Sequence, residues 1–422
     1  MQVAYFEDAN VDQFRPLAWL RPVFELVCGH SGVRERVNRF LEPNRWGAFI
    51  RPWLVEAYQE DHPTAILNQR DWLKDEPTLL LNGRWLPGLS QLQELAPGDA
   101  GWMDGTLVCL MITPEEMDRL DLSDIAASAE LLARSRREVS VSGHLLQYPW
   151  DLVHQNGSQL EQDFRTRLHG PTKVTLGSQV AVLGLDEDVY IDPSAQIDPF
   201  VVVDARSGPV WISAGVKVQP FTRIEGPCFI GQNSQLFRAN VKAGTTIGPV
   251  CRIGGEIEES IFQGYSNKYH DGFLGHSFIA PWVNLGALST NSDLKNDYSA
   301  VSVPLWGESI RSGSTKVGCF IADHSKTALC SLFNTGSSVG VMSMILPGGR
   351  LLPKHIPSFS RLWHGAIEEI PEGLEPSLLA AKTAMGRRDC QFTPATERLL
   401  RTVYQLSAEE RQRAIARVKP GS

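Results

Sequence analysis

Branched aliphatic residues recur every six positions between about residues 174 and 352, and this period constrains the fold more than any other feature of the chain. Ile191, Ile197 and Val203 are six apart. Ile212, Val218, Ile224, Ile230 and Leu236 keep the spacing, Ile247 and Ile253 follow in a shifted register, and Ile261, Phe273, Ile279 and Leu285 share another. A helix repeats near 3.6 and a half-buried strand at 2, so neither explains a period of six. A parallel β-helix does: each hexad makes one short face and a corner, and about three hexads close a coil. The aliphatic anchors then stack between coils into a continuous apolar column.

The flanks read differently. Before the hexads, "QVAYFED", "TLLLNGRWL" and "GTLVCLMI" have the character of buried strands. "VRERVNRFL" has helical spacing, and "PEEMDRLDLSDIAASAELLARS" reads as one helix with Pro114 near its start. Alternating strands and helices predict an α/β domain over residues 1–168. The β-helix is predicted over 169–360 and a helical extension over 361–422. In that extension Thr393 precedes Pro394 as a candidate N-cap, and Ser407 with Glu410 has the spacing of a capping box.

A chain of 422 residues with 42% hydrophobic and 21% charged residues has the composition of a globular protein of two or three domains. Its net charge of -8 argues against a general nucleic-acid or anionic-membrane surface. Seven cysteines without a CxxC pair suggest buried thiols in a reducing compartment. With no signal-like apolar segment and no membrane-length apolar run, a cytoplasmic location is expected.

The regular hexads are interrupted by "NKYHDG", residues 267–272, where Asn267 occupies the anchor position of the 261–285 register. Asparagine there is equally consistent with a structural ladder. His270, with Lys268 and Asp271 beside it, makes a plausible general base: an imidazole titrating near neutrality, a cation for an anionic substrate and an acid to orient the ring. Tyr265 lies just upstream. Two later polar islands add candidates. "GALSTNSDLKNDY" offers Asn291 and Lys295 for a sugar phosphate, and "ADHSK" offers Asp323, Ser325 and Lys326 as contacts for an acyl-CoA. His270, His276 and His324 could instead share zinc, although their spacing forms no local ligand motif. Near the start, Arg15, Arg21, Arg34 and Arg36 are candidates for an anion site. Neither GxGxxG nor GxxxxGK[ST] occurs.

Together these stretches resemble the GlmU-like sugar nucleotidyltransferases, divergent relatives of bifunctional GlmU. "RPLAWLRPVFELVCGHSGVRER", "LLLNGRWLP" and "YPWDLVHQNGSQLEQDF" are similar to landmarks of their N-terminal domain. "GEIEESIFQGYSNKYHDGFLGHSFIAPWVNLGALSTNSDLKN" and "ADHSKTALCSLFNTGSSVG" are similar to landmarks of their left-handed β-helix. Bifunctional GlmU acetylates glucosamine 1-phosphate from acetyl-CoA and then uses UTP and magnesium to make UDP-N-acetylglucosamine. Its β-helix domain is a trimer with a histidine base in a "GSKxGH" hexad.

The resemblance therefore implies a homotrimer, with His270 as base and Lys268 as phosphate contact in "YSNKYH". Asn291 and Ser292 stand where that family has an asparagine-tyrosine pair, so the tyrosine is missing. In the N-terminal domain Arg21 stands near the family's lysine. "NGR" replaces the metal-binding "GD", leaving Asn82 as a poor magnesium candidate. Acyl transfer from acetyl-CoA or another acyl-CoA to an amino-sugar phosphate is thus better supported than nucleotidyl transfer from an NTP. Two alternatives remain: a non-catalytic sugar-nucleotide-binding or scaffold β-helix, and a metal-dependent β-helix hydratase.

Overall fold

A computed structural model describes residues 1–167 and 176–417 and divides into two compact units. The first comprises Met1–Leu26, Ser31–Tyr148 and Pro394–Leu399; the second comprises Val27–His30, Pro149–Thr393 and Leu400–Ser422. The expected boundary at 168/169 lies outside the described residues.

The first unit is built on a seven-stranded sheet. Its order is Ile66–Leu67, Arg45–Phe49, Gln2–Phe6, Thr78–Asn82, Thr106–Ile112, Asp99–Met103 and Arg137–Val139. The first four strands are mutually parallel, and Thr106–Ile112 runs antiparallel to Thr78–Asn82. Strand Gln2–Phe6 is buried along its whole length, as an interior strand covered on both faces must be. Because the chain leaves Gln2–Phe6 on one side and later returns to pair on the other, the carboxyl ends of Gln2–Phe6 and Thr78–Asn82 form a topological switch point. Crevices at such points are where open α/β sheets bind ligands.

The stretch expected as one helix from Pro114 is two elements. A 3-10 turn, Pro114–Arg119, starts with a Thr113–Glu116 capping box; helix Ile125–Ala133 starts anew with the Asp124 side chain accepting from Ala127 N–H. Leu120, buried between them, and the Asp121–Ser123 turn break the helical run.

In the second unit the hexads form a left-handed parallel β-helix. One inward column runs Ile191, Ile212, Ile230, Ile247, Phe262, Ile279, Ile321, Val339 and Ile356, each in register with the next. A second contains Val203, Ile224, Val241, Ile257 and Leu274, and a third Val218, Leu236 and Ile253. Burying each such side chain contributes about 1.5–3 kcal/mol. Between Ile279 and Ile321 a long excursion leaves the coils and includes an antiparallel hairpin, Ser302–Leu305 with Glu308–Arg311.

Helix Pro149–Arg167 covers the outer face of the sheet that carries the first column. Leu160 and Phe164 pack with Trp211 and Phe229. The buried Asn156 accepts from Gly29 N–H at 2.7 Å and donates to Gly244 O at 2.8 Å. At the far end the last coil closes with an antiparallel pair, Ser360–Trp363 and Ala366–Glu369, before helix Glu375–Gly386. The Ser407–Glu410 capping box does not form: Glu410 instead faces His355 Nε2 at 2.9 Å, and Ser407 Oγ donates to Tyr404 O. Among the described residues no helix is long and apolar enough to cross a membrane. All seven cysteines are unpaired, five of them buried.

Candidate functional site

The polar hexad is one residue out of phase with the sequence-derived register. Ile253 pairs with Lys268 and Arg252 with Asn267, so Lys268, not Asn267, takes the inward position of the third column. Its ammonium donates to Gly254 O at 3.0 Å and His270 O at 2.7 Å, and the side chain is 1% exposed. Room for it exists because Gly255, at φ +73, has no side chain; a Cβ there would lie 2.9 Å from Lys268 Nζ. Burial lowers the Lys268 pKa to about 8. Lys268 is therefore not presented as a surface phosphate contact. It braces the backbone that carries His270.

Asn267 faces outward. It forms a row with Asn284 in the next coil, its Nδ2 donating to Asn284 Oδ1 at 3.2 Å, and its Oδ1 accepts from Arg388 Nη2 at 3.2 Å. Arg388 follows helix Glu375–Gly386, in the C-terminal segment where the sequence carried no chemical signal. Arg252, Asn267, His270, Asn284 and Arg388 line an open cavity of about 600 Å³. His270 is exposed at its rim, edge-on to Tyr269 at 5.7 Å, and Tyr269 stacks on Phe237. Among the described residues no hydrogen bond or ion pair fixes the His270 ring, so Asp271 does not orient it as expected.

A second cavity of about 370 Å³ adjoins along Asn267, Asn284 and Arg388 and is also lined by Tyr265 and Lys326. Tyr265 stacks on Trp282 at 4.5 Å, and Trp282 on His324 at 6.0 Å, as a ladder along one corner of the coils. Lys326 keeps its place beside the cavity, and burial depresses its pKa. Asp323 and Ser325 are buried, and Ser325 Oγ is bound to Gly340 O at 2.6 Å; neither is displayed to a ligand.

The other candidates lie elsewhere. Asn291 is buried in strand Thr290–Asn291, where its amide clasps Gly275 through 2.8 Å and 2.9 Å bonds, a ladder role rather than a sugar contact. Lys295 staples its own loop to Ser299 and Ala300. His276 is held between Asp293 at 2.8 Å and Glu259 at 3.2 Å. Burial pulls its pKa down, but the two carboxylates overcome this and raise it to about 9. It is therefore an imidazolium at neutral pH and unsuited to act as a base. His270, His276 and His324 do not converge. The grouping of possible metal ligands among the described residues is Glu258, Glu259 and His276, already neutralised by that imidazolium and by Lys316 beside Glu258.

In the first unit the four arginines do not make a common anion site. Arg15 pairs with Asp12 and lies over Trp19, and Arg21 donates to Leu17 O. Arg34 pairs with Glu25, and Arg36 is buried against Ser31 O. The switch-point crevice holds two carboxylates that sequence reading did not single out. Asp8 Oδ1 accepts from Arg84 Nε at 2.8 Å and Asn10 N–H at 3.0 Å; Oδ2 accepts from Arg84 Nη2 at 2.6 Å and Asn82 Nδ2 at 2.9 Å. Glu7 is engaged just as fully, by Arg51 through its backbone and guanidinium and by Val23 N–H. The Asn82 oxygen accepts from Arg84 N–H at 3.0 Å. With each carboxylate oxygen already accepting two bonds, Asn82, Asp8 and Glu7 do not fit a magnesium ion.

The chain thus comprises an α/β unit with a switch-point crevice and a hexapeptide β-helix with a polar cavity rimmed by His270. Residues 3–171 match the family described as sugar nucleotidyl transferase. A bifunctional sugar-1-phosphate nucleotidylyltransferase/acetyltransferase from Sulfurisphaera tokodaii is 34% identical over 93 residues, 22% of this chain and 23% of that protein. The bifunctional protein GlmU of Rippkaea orientalis is 26% identical over 125 residues, covering 29% and 23%. A putative uncharacterized acetyltransferase, YaiX, of Escherichia coli is 28% identical over 165 residues, 38% of this chain and 66% of that one. The chain thus spans about a quarter of the length of the first two relatives. Among solved structures, an Arabidopsis UDP-N-acetylglucosamine acyltransferase aligns over 59% of this chain and 98% of its own at 15% identity, with a TM-score of 0.27. The sequence matches fit a divergent GlmU-like protein.

Proposed function

We propose that the chain is an acyl-CoA-dependent N-acyltransferase acting on an amino-sugar phosphate such as glucosamine 1-phosphate, assembled as a homotrimer. The observation that carries this reading is His270: an exposed imidazole, free of any fixed partner among the described residues, at the rim of a polar cavity of about 600 Å³. In the reaction the His270 ring takes a proton from the substrate amine as nitrogen attacks the thioester carbonyl. The C–N bond forms, the C–S bond breaks, and the imidazolium returns the proton to the leaving thiolate. Backbone N–H groups of the coils are the donor type suited to the developing oxyanion. Lys268 holds the His270 carbonyl and so fixes where the ring projects.

For the first unit a second reading is favoured by a specific observation. The saturation of Glu7 and Asp8 leaves neither of these two switch-point carboxylates free for a metal, which suits a binding or scaffold role. One experiment separates the two units: thiol release from acetyl-CoA across several amino-sugar phosphates, run beside pyrophosphate release with each NTP. The expected outcome is thiol release with at least one acceptor and no magnesium-dependent pyrophosphate release. Absence of thiol release with every acceptor would contradict the acyltransferase reading. Light scattering on the purified chain tests the trimer.

A further inference from the structure

We propose that Arg252 and Arg388, the first in register with Asn267 and the second hydrogen-bonded to it, form a phosphoryl-binding subsite in the cavity beside His270. Arg252 stands on the outward face of its strand, in register with Asn267 one coil on, while its neighbour Ile253 fills the core. Among the described residues its guanidinium makes only long contacts, to Cys251 O at 3.3 Å and Asn233 O at 3.4 Å. Arg388 reaches the same face from the turn after helix Glu375–Gly386 and touches Asn267 Oδ1. Among the described residues neither guanidinium has a carboxylate partner, and no carboxylate lines either cavity. The two positive charges sense one another: burial, and then Arg388, lower the pKa of Arg252.

In a chain with 48 acidic and 40 basic residues, two neighbouring guanidiniums left without an acid are a site awaiting an anion. Guanidinium forks match phosphate oxygens in pairs. The adjoining cavity extends the positive strip through Lys326 and Arg387. The shared ligand chemistry is a phosphate ester, supplied either by the phosphorylated acceptor or by the phosphates of coenzyme A. As part of an acyl-transfer site the subsite rests on the proposed function; as an anion site it does not.

The test begins with inorganic phosphate as probe, titrated into the full chain by calorimetry. Saturable binding is expected, weakened about tenfold in Arg252→Gln and in Arg388→Gln, and retained in His270→Ala. Arg388→Lys, which keeps the charge but not the fork, should fall between. Steady-state kinetics then assign the source. A raised KM for the amino-sugar phosphate places the acceptor there, whereas a raised KM for acetyl-CoA, with competition by adenosine 3′,5′-bisphosphate, places coenzyme A there. Phosphate binding unchanged in both glutamine variants would overturn the subsite even if thiol release persists. Phosphate binding without thiol release toward any acceptor would keep the subsite and remove the acyltransferase reading.

Discussion

Arginine is used in opposite ways in the two units. At the switch point of the first, Arg84 is wholly buried and closes a bidentate pair on Asp8, while Arg51 does the same on Glu7. On the outer face of the β-helix, Arg252 and Arg388 share a cavity with no acid. A buried polar group that is fully paired specifies structure, and one left unpaired in a cavity marks a place for a ligand. The difference explains how a domain can keep the outline of a nucleotidyltransferase while its crevice is closed to metal.

The sharpest way to break the comparison is to remove a partner from the closed site. Arg84→Gln leaves Asp8 with an uncompensated buried charge and is expected to cost about 3–5 kcal/mol in urea unfolding. If the variant is as stable as wild type, Arg84 is not neutralising Asp8. Wild-type protein should also show no Mn²⁺ binding that Asp8→Asn abolishes, by electron paramagnetic resonance.

The next effects belong to titrating groups in the β-helix. The His276 pKa is raised to about 9, so its ion pairs are fully present below the ordinary histidine pKa and are lost as pH rises through about 9. His276→Gln should therefore destabilise by about 2–3 kcal/mol at pH 7, the deficit shrinking as pH rises towards 9 and all but gone above it. A deficit independent of pH would show that the pairing with Asp293 and Glu259 does not carry the effect.

Lys268 has the opposite sign. Its folded pKa, about 8, lies below that of the unfolded chain, so the cost of burying its charge is complete below pH 8 and is relieved as pH rises towards 10.5. Lys268→Met keeps the volume of the column. Measured against it, the wild type should gain about 2 kcal/mol between pH 8 and pH 10. Parallel stability curves would mean that Lys268 is not buried as a cation.

The hexads announced the β-helix because a period of six has few other solutions, and the hexad at 267–272 announced a polar interruption. Its phase was illegible for a physical reason. The neighbouring anchors come as apolar pairs, Ile261-Phe262 and Phe273-Leu274. Both members of the first pair are fully buried, Phe262 in the core and Ile261 on the opposite side of the strand, so hydrophobicity could not say which pointed inward. The step from the inward Leu274 to the inward Ile279 is also five residues rather than six, which moves the register by one. Arg388 had no signal at all, because it reaches the cavity from a segment more than a hundred residues away. In the first unit "NGR" was readable as a departure from "GD", but the role of Arg84 against Asp8 emerged only from strand order.

The central claim rests on the imidazole at the cavity rim, and its most direct measurement is thiol release from acetyl-CoA by wild type and His270→Ala, with the oligomeric state of both verified. The account predicts a loss of about 10²–10⁴-fold in kcat with the assembly unchanged. Equal turnover by the two proteins would contradict it.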